Sequence, residues 1–336
     1  MIQQARSILT QGLVDRFGRT IQYLRLSVTD RCNLRCVYCL PEKGAEWLSR
    51  EEVLRFEEMA EVVRVAVSLG ITKVRLTGGE PLVRSRLSDL IEMLGKIPGL
   101  NDLSLTTNAM MLAPQAESLA RAGLKRVNIS LDTLDPKQFK RITRLGSIEK
   151  VFQGIDAAMA YGLDPVKLNV VVMRGVNDDE VIEMARLSLK RPLHVRFIEL
   201  MPIGEYFTAK RHVPAEEILK RLEGLGPLHS VDTLVGCGPA KIYQLEGAQG
   251  TIGIIGAVSQ SFCASCNRLR LTATGRLRPC LDDTASTDLK PALRPSCDSA
   301  HLARLIRQTV LEKPEQHSMA EREQGTVRFC MAGVGG

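Results

Sequence analysis

Six short apolar, β-branched runs, each followed by a longer amphipathic segment, occupy residues 21–200, and this alternation restricts the fold more than any other feature of the chain. The spacing predicts strands at 23–28, 73–77, 103–107, 126–131, 167–172 and 194–200. Helical patterns lie between them. The segment 50–69 carries Phe56, Met59, Val62, Val63, Ala66 and Val67 on one face and stops at Gly70. Strands joined by crossover helices run the same way, so the series implies a parallel sheet, and periodicity leaves a doubly wound sheet and a barrel equally open. Both architectures place ligands at the C-terminal ends of the strands. Cysteines follow the first strand, Gly78-Gly79-Glu80-Pro81 the second and Asn108 the third, so the unusual residues are expected to converge on one mouth.

After Met201-Pro202 the pattern turns Gly- and Pro-punctuated, with strand candidates at 241–245, 251–255 and 268–272 and a helical run near 301–312. Two units are therefore expected: residues 1–200 with the β-α series and a lead-in, and residues 201–336 as a C-terminal extension packed against it. A 336-residue chain that is 44% hydrophobic can bury a core, which excludes overall disorder. No apolar run approaches the roughly 20 residues that span a bilayer, and the first twenty residues hold no secretory signal, so a cytoplasmic protein without a membrane partner is expected. The net charge of +7 favours an anionic ligand. An aromatic content of 4% is low for base stacking, so nucleic acid is not an expected partner.

Nine cysteines in such a compartment point to metal binding or catalysis. Cys32, Cys36 and Cys39 form one group, Cys263, Cys266 and Cys280 another, and Cys237, Cys297 and Cys330 stand apart. Three thiolates on a [4Fe–4S] cube leave one iron open to a small molecule. The i, i+4, i+7 spacing also suits packing on a helix face, but Asn33, Arg35 and Tyr38 interleave with the thiols and oppose a dry seam. No histidine lies nearby to complete a zinc tetrahedron. For the second group, spacing alone leans toward structural zinc with a fourth ligand from elsewhere, and a second open cluster also satisfies it. Arg268 and Arg270 alternate on a strand and project to one side, where forked guanidiniums suit phosphate. A basic sheet edge would read the same way.

With an aromatic before the last cysteine of the first group and Gly78-Gly79-Glu80-Pro81 after the next strand, the chain resembles the radical S-adenosylmethionine (SAM) superfamily. The resemblance implies an α/β fold, a partial (β/α)6 TIM-like barrel whose C-terminal α+β extension carries a second iron–sulfur cluster. It also implies SAM chelated at the open iron and cleaved reductively to methionine and a 5′-deoxyadenosyl radical. Glu80 would accept hydrogen bonds from the SAM ammonium, and Gly78 and Gly79 would let backbone approach closely.

Through the runs at 23–30, 75–82 and 195–202 and the second triad with its arginines, the resemblance narrows to the GTP 3′,8-cyclase family. That replaces the leaning toward zinc by a second [4Fe–4S] cluster at Cys263, Cys266 and Cys280. It implies Tyr38, Gly78, Gly79, Glu80, Ser130 and Met201 around SAM. Around GTP it implies Arg25, Lys73, Arg75, Thr106, Lys167, Arg196, Arg268, Leu269 and Arg270. Catalytic parts fall to Cys32, Cys36, Cys39, Arg25, Gly335 and Gly336. The implied reaction converts GTP to 3′,8-cyclo-7,8-dihydro-GTP after hydrogen abstraction at C3′, the first step of molybdenum cofactor biosynthesis. Implied partners are a reductant such as flavodoxin or ferredoxin, a downstream cyclic pyranopterin monophosphate synthase and a second copy in a homodimer. A peptide-modifying radical SAM enzyme is the rival, but its extension would need more cysteines than the six clustered here.

Overall fold

The structure, a computed structural model, describes residues 12–232, 238–325 and Gly333. Its twelve described strands form one sheet. They are β1 Tyr23–Ser27, β2 Lys73–Thr77, β3 Asp102–Thr107, β4 Arg126–Ser130, β5 Lys167–Val172, β6 His194–Glu199, β7 Leu228–Ser230, β8 Lys241–Leu245, β9 Thr251–Ile255, β10 Arg268–Leu271, β11 Arg276–Arg278 and β12 Thr287–Asp288. The order is β12-β11-β10-β1-β2-β3-β4-β5-β6-β9-β8-β7. Strands β1 to β6 are parallel neighbours in sequence order, as the β-α series requires.

The region after residue 200 does more than pack against this unit. Strand β9 adds to β6 and β10 to β1, both in parallel, so the barrel wall has eight parallel strands and antiparallel hairpins at its two edges. The order is open rather than circular.

Eight α-helices lie along the described chain: α1 Phe56–Ser68, α2 Leu87–Gly95, α3 Ala116–Arg121, α4 Pro136–Thr143, α5 Ile148–Ala160, α6 Val181–Lys190, α7 Ala215–Leu222 and α8 Ser299–Leu311. Helix α1 starts six residues later than the apolar pattern suggests. Leu54 is tied by its N–H to the Ala273 carbonyl, and the Glu58 side chain accepts from the Arg55 N–H, so the chain is held extended until Arg55 caps the helix. Among the described residues no helix is long and apolar enough to cross a membrane.

Strand alternation sorts the wall into two faces. Leu24, Leu26, Val74, Leu76, Leu105, Ile129, Leu168, Val195, Ile252 and Leu269 are buried in the principal hydrophobic core. The opposite face carries polar side chains on seven of the eight parallel strands, Arg25 on β1, Arg75 on β2, Ser104 and Thr106 on β3, Asn128 and Ser130 on β4, Asn169 on β5, Arg196 on β6 and Arg270 on β10, while β9 turns Gly253 and Ile255 to it. An ordinary barrel of this kind fills its interior with branched apolar side chains. Here arginines, amides and hydroxyls share the interior with Val171, Ile198 and Ile255, and burial of the outward layer holds the wall together.

Candidate active site

The segment from Val28 to Leu40 leaves β1 and is fixed from two sides. On one side Gly79 and Glu80 donate backbone N–H bonds to the carbonyls of Thr29 and Arg31 at 2.9 and 2.8 Å. The approach is so close that a Cβ on Gly79 would meet the Arg31 oxygen at 2.4 Å, and one on Gly78, whose φ is +154°, the Thr29 oxygen at 2.5 Å. Only glycine fits there. On the other side Arg35 and Val37 donate to the carbonyls of Thr143 and Ile142 at the end of α4, and Arg144 donates to the carbonyls of Arg35 and Leu40. The Arg35 guanidinium stacks on Trp47 at 5.0 Å and donates to the Cys32 carbonyl.

These restraints present Cys32, Cys36 and Cys39 to one cavity. Burial pushes the Cys32 thiol up to about 11, and it raises Cys36 well above its ordinary range, with Cys39, Asp132 and Cys32 adding to the effect. Arg35 eases the ionisation of Cys32 only in part, and the iron of a cluster would supply the positive charge that mutually repelling thiolates require. The Asn108 amide points at the Cys32 sulfur from 3.9 Å.

Glu80 is 1% exposed. Its Oε1 accepts from the Leu82 N–H and the Thr107 hydroxyl, and Oε2 from the Asn108 N–H. Burial pushes its carboxyl up to about 7 against those bonds. Its first task is to hold the β3–α3 loop, and Oε2 keeps acceptor capacity for an ammonium. Tyr38 donates to Asp132 at 2.7 Å, and Asp132 also accepts from the Val171 N–H.

The second triad lies at the opposite end of the wall. Cys266 precedes β10, and Cys280 follows β11, which runs antiparallel to β10, so both sit beside the start of β10. The Asn267 carbonyl accepts from the N–H groups of Gln22 and Tyr23 at the start of β1. The first triad lies beyond the end of β1. The two triads are thus separated by the length of the strand, roughly 16 Å from Tyr23 to Val28 at about 3.3 Å per residue. They do not share one mouth, although both line the same cavity. The reason is that Cys263 and Cys266 precede their strand whereas Cys32 follows its own.

Three residues with no motif of their own build this second end. Arg19, paired with Asp15, donates to the carbonyls of Cys263, Glu315 and Pro314. Lys313, 2% exposed, donates to those of Arg268 and Pro279 at 3.0 and 2.6 Å. His317 faces Cys263: burial opposes ionisation of that thiol, but hydrogen bonds from His317 and Ser261 bring it down to about 6. Burial likewise opposes ionisation of Cys266, and Arg268 and Lys313 lower it. A second anionic metal–thiolate centre fits this cationic surrounding. Among the described residues no three His, Cys, Asp or Glu side chains converge on a single-ion site.

Between the triads runs a row of register partners, Arg270–Arg25–Arg75–Ser104–Arg126, across β10, β1, β2, β3 and β4, in which Arg75 donates to the Ser104 hydroxyl. Burial lowers Arg25 and Arg75 below the usual range and brings Arg270 down to about 10, the neighbouring arginines adding to it. Arg196 is held by Asn128 and Asn169 at 2.6 Å each and brought down to about 9 by burial, then by Arg75. Crowded buried guanidiniums of this kind form a prepared anion site.

Of the residues expected around SAM and GTP, Arg25, Tyr38, Arg75, Gly78, Gly79, Glu80, Thr106, Ser130, Arg196, Met201, Arg268 and Arg270 line the cavity. Lys73 and Lys167 do not line it; they start β2 and β5, Lys73 beneath the row and level with Tyr23, Lys167 above it and level with Asn128. The Leu269 side chain faces away, 1% exposed in the outer core, because strand alternation turns it opposite to its arginine neighbours. Gly335 and Gly336 lie outside the described residues, as do Cys237 and Cys330. Arg126, the end of the row, has no sequence signal beyond its place at a strand start.

Comparisons agree with this geometry. Residues 26–188 match the radical SAM superfamily model and residues 193–319 that described as Molybdenum Cofactor Synthesis C. A crystal structure of Streptococcus suis SuiB bound to S-adenosylmethionine superposes with a TM-score of 0.63 at 15% identity, covering 97% of this chain and 81% of that one. The chain is a radical SAM protein. It is 51% identical over 310 residues to the GTP 3′,8-cyclase of Pelotomaculum thermopropionicum, covering 91% of this chain and 95% of the relative. It is 45% identical over 321 residues to that of Listeria monocytogenes, covering 95% and 96%. The chain belongs to the GTP 3′,8-cyclase family, a family of enzymes that uses SAM and [4Fe–4S] clusters.

Proposed function

We propose that this chain converts GTP to 3′,8-cyclo-7,8-dihydro-GTP, the first step of molybdenum cofactor biosynthesis. The observation that carries the reading is a single lumen with a cysteine triad at each end and a row of buried arginines between them. Cys32, Cys36 and Cys39 would hold one [4Fe–4S] cluster, and Cys263, Cys266 and Cys280 a second. When bound, the reduced first cluster and SAM supply a radical that abstracts hydrogen from a ribose carbon.

The residues of the chain bind, orient and exclude. Gly78 and Gly79 leave room for SAM beside the first triad, Glu80 offers Oε2 to its ammonium, and Tyr38, Ser130 and Met201 border it. Arg25, Arg75, Arg196, Arg268 and Arg270 neutralise the triphosphate and fix the ribose between the triads, each charge-assisted hydrogen bond contributing about 1.5–3 kcal/mol. Thr106 adds a hydroxyl. Lys73 and Lys167 act from either side of the row through charge. The division at residue 200 follows the same logic, with SAM held by the first unit and the second cluster by the extension. A reductant such as flavodoxin or ferredoxin, the downstream synthase, a cytoplasmic setting, a homodimer and an active-site role for Gly335 and Gly336 complete the proposal.

Anaerobic reconstitution with iron and sulfide counting, followed by incubation with SAM, reductant and GTP, tests the reading. About eight irons per chain, two four-iron cubes, and 5′-deoxyadenosine release that requires GTP support it. Zinc without iron, or SAM cleavage indifferent to GTP, defeats it.

A further inference from the structure

The buried arginine at the end of the row has no role in the reading given so far. Arg126 opens β4 on the inward face of the wall, because Val127 and Ile129 beside it are buried in the outer core, and it sits just behind the residues that line the cavity. It is 8% exposed. Its Nη2 is paired with Asp102 on β3, and its Nε is buried without a hydrogen-bond partner. Leaving a buried guanidinium donor unmet is costly, so the position is unfinished unless an acceptor arrives.

The surroundings define that acceptor. Arg126 adds to the lowering of Arg75, Arg196 and Lys167, so it belongs to the same cationic cluster. Asp102 is the carboxylate that offsets this cluster, raising both Arg75 and Lys167. Asp102 holds one side of the guanidinium and leaves Nε for an anion approaching along the row.

We infer that Arg126, oriented by Asp102, is a further nucleotide ligand: it bonds the terminal phosphate and makes the site read the length of the phosphate chain. The inference rests on the GTP site proposed above. Its position fits the task. The row starts at Arg270 beside the second triad and ends at Arg126; the inference includes a base that faces the open iron of the second cluster, with the phosphate chain running past Arg270 along the row and its last group farthest along it. A diphosphate bound the same way falls short of Arg126.

The test is equilibrium binding of GTP and GDP, by calorimetry, to the anaerobically reconstituted full chain carrying Arg126→Gln or Arg126→Lys. Loss of one charge-assisted bond weakens GTP binding roughly 10-fold or more. GDP binding changes by less than about 3-fold, so the preference for GTP over GDP collapses in Arg126→Gln. Arg126→Lys keeps the charge without the fork and retains part of the preference. If Arg126→Gln does not fold, the lysine variant decides: a GTP-to-GDP preference equal to wild type overturns the inference. Equal weakening of both nucleotides, or of neither, also overturns it. A wild-type protein that binds no GTP instead defeats the site reading on which the inference stands.

Discussion

Lys167 offers a quantitative test of the cationic lumen. Burial, with Arg196, Arg126 and Arg75 adding to it, pushes its ammonium down from 10.5 to about 7. The sign follows from linkage. A lysine with a depressed folded-state pKa burdens the free fold while it is charged, fully below about 7, and the burden fades as pH rises toward 10.5. A bound triphosphate cancels the arginine field and restores the ordinary pKa, so binding takes up a proton. At pH 8 the free lysine is about one-tenth protonated and the bound one almost fully, an uptake of about 0.9 proton. Apparent GTP affinity then falls about ninefold between pH 8 and pH 9, where the phosphates themselves no longer titrate. Calorimetry in two buffers of different ionisation enthalpy measures the uptake directly, and Lys167→Met removes it. Buffer-independent enthalpies for the wild type, or the same uptake in Lys167→Met, refute the reasoning.

Gly79→Ala drives a Cβ into the Arg31 and Asp30 carbonyls and displaces the first cysteine loop; iron content is expected to drop to about four per chain, with the second cluster retained and visible by electron paramagnetic resonance. Glu80→Gln sets an amide donor against either the Asn108 N–H or the Leu82 N–H and Thr107 hydroxyl, so SAM binding to reconstituted protein weakens by roughly 10-fold or more. Arg19→Met removes three buried bonds to carbonyls around the Cys263 loop; the melting temperature falls by several degrees, and the second cluster is lost faster than the first on exposure to air.

The strands were legible because each outward face repeats branched apolar residues at period two, and β2 and β5 match their predicted bounds residue for residue. The two triads were legible because thiol spacing is a local property. What lay hidden depends on distant partners. Strands β9 and β10 read as parts of a separate extension, since pairing with β6 and β1 is a matter of register and leaves no mark on local pattern. Arg19 reaches carbonyls 244 to 296 residues away, and nothing around it distinguishes it from a surface arginine. Arg126 looks like any strand-edge cation until Ser104 and Arg75 are found beside it. The expectation of one mouth holds for the loops after β1, β2 and β3 and does not extend to the second triad. A general rule about strand ends applies to loops that follow strands, and the second triad mostly precedes one.

The parallel pairing of β1 with β10 turns the wall into a ruler. The end of one strand carries the first triad and the beginning of the other the second, and their backbones are paired in parallel register from Tyr23–Arg268 to Leu26–Leu271. Changes in either loop therefore leave the spacing between the two reactive ends nearly untouched, because it is counted in peptide units and not set by loop conformation. A molecule held at one end is presented to the other at a fixed reach, so the chain selects by span as well as by chemical group.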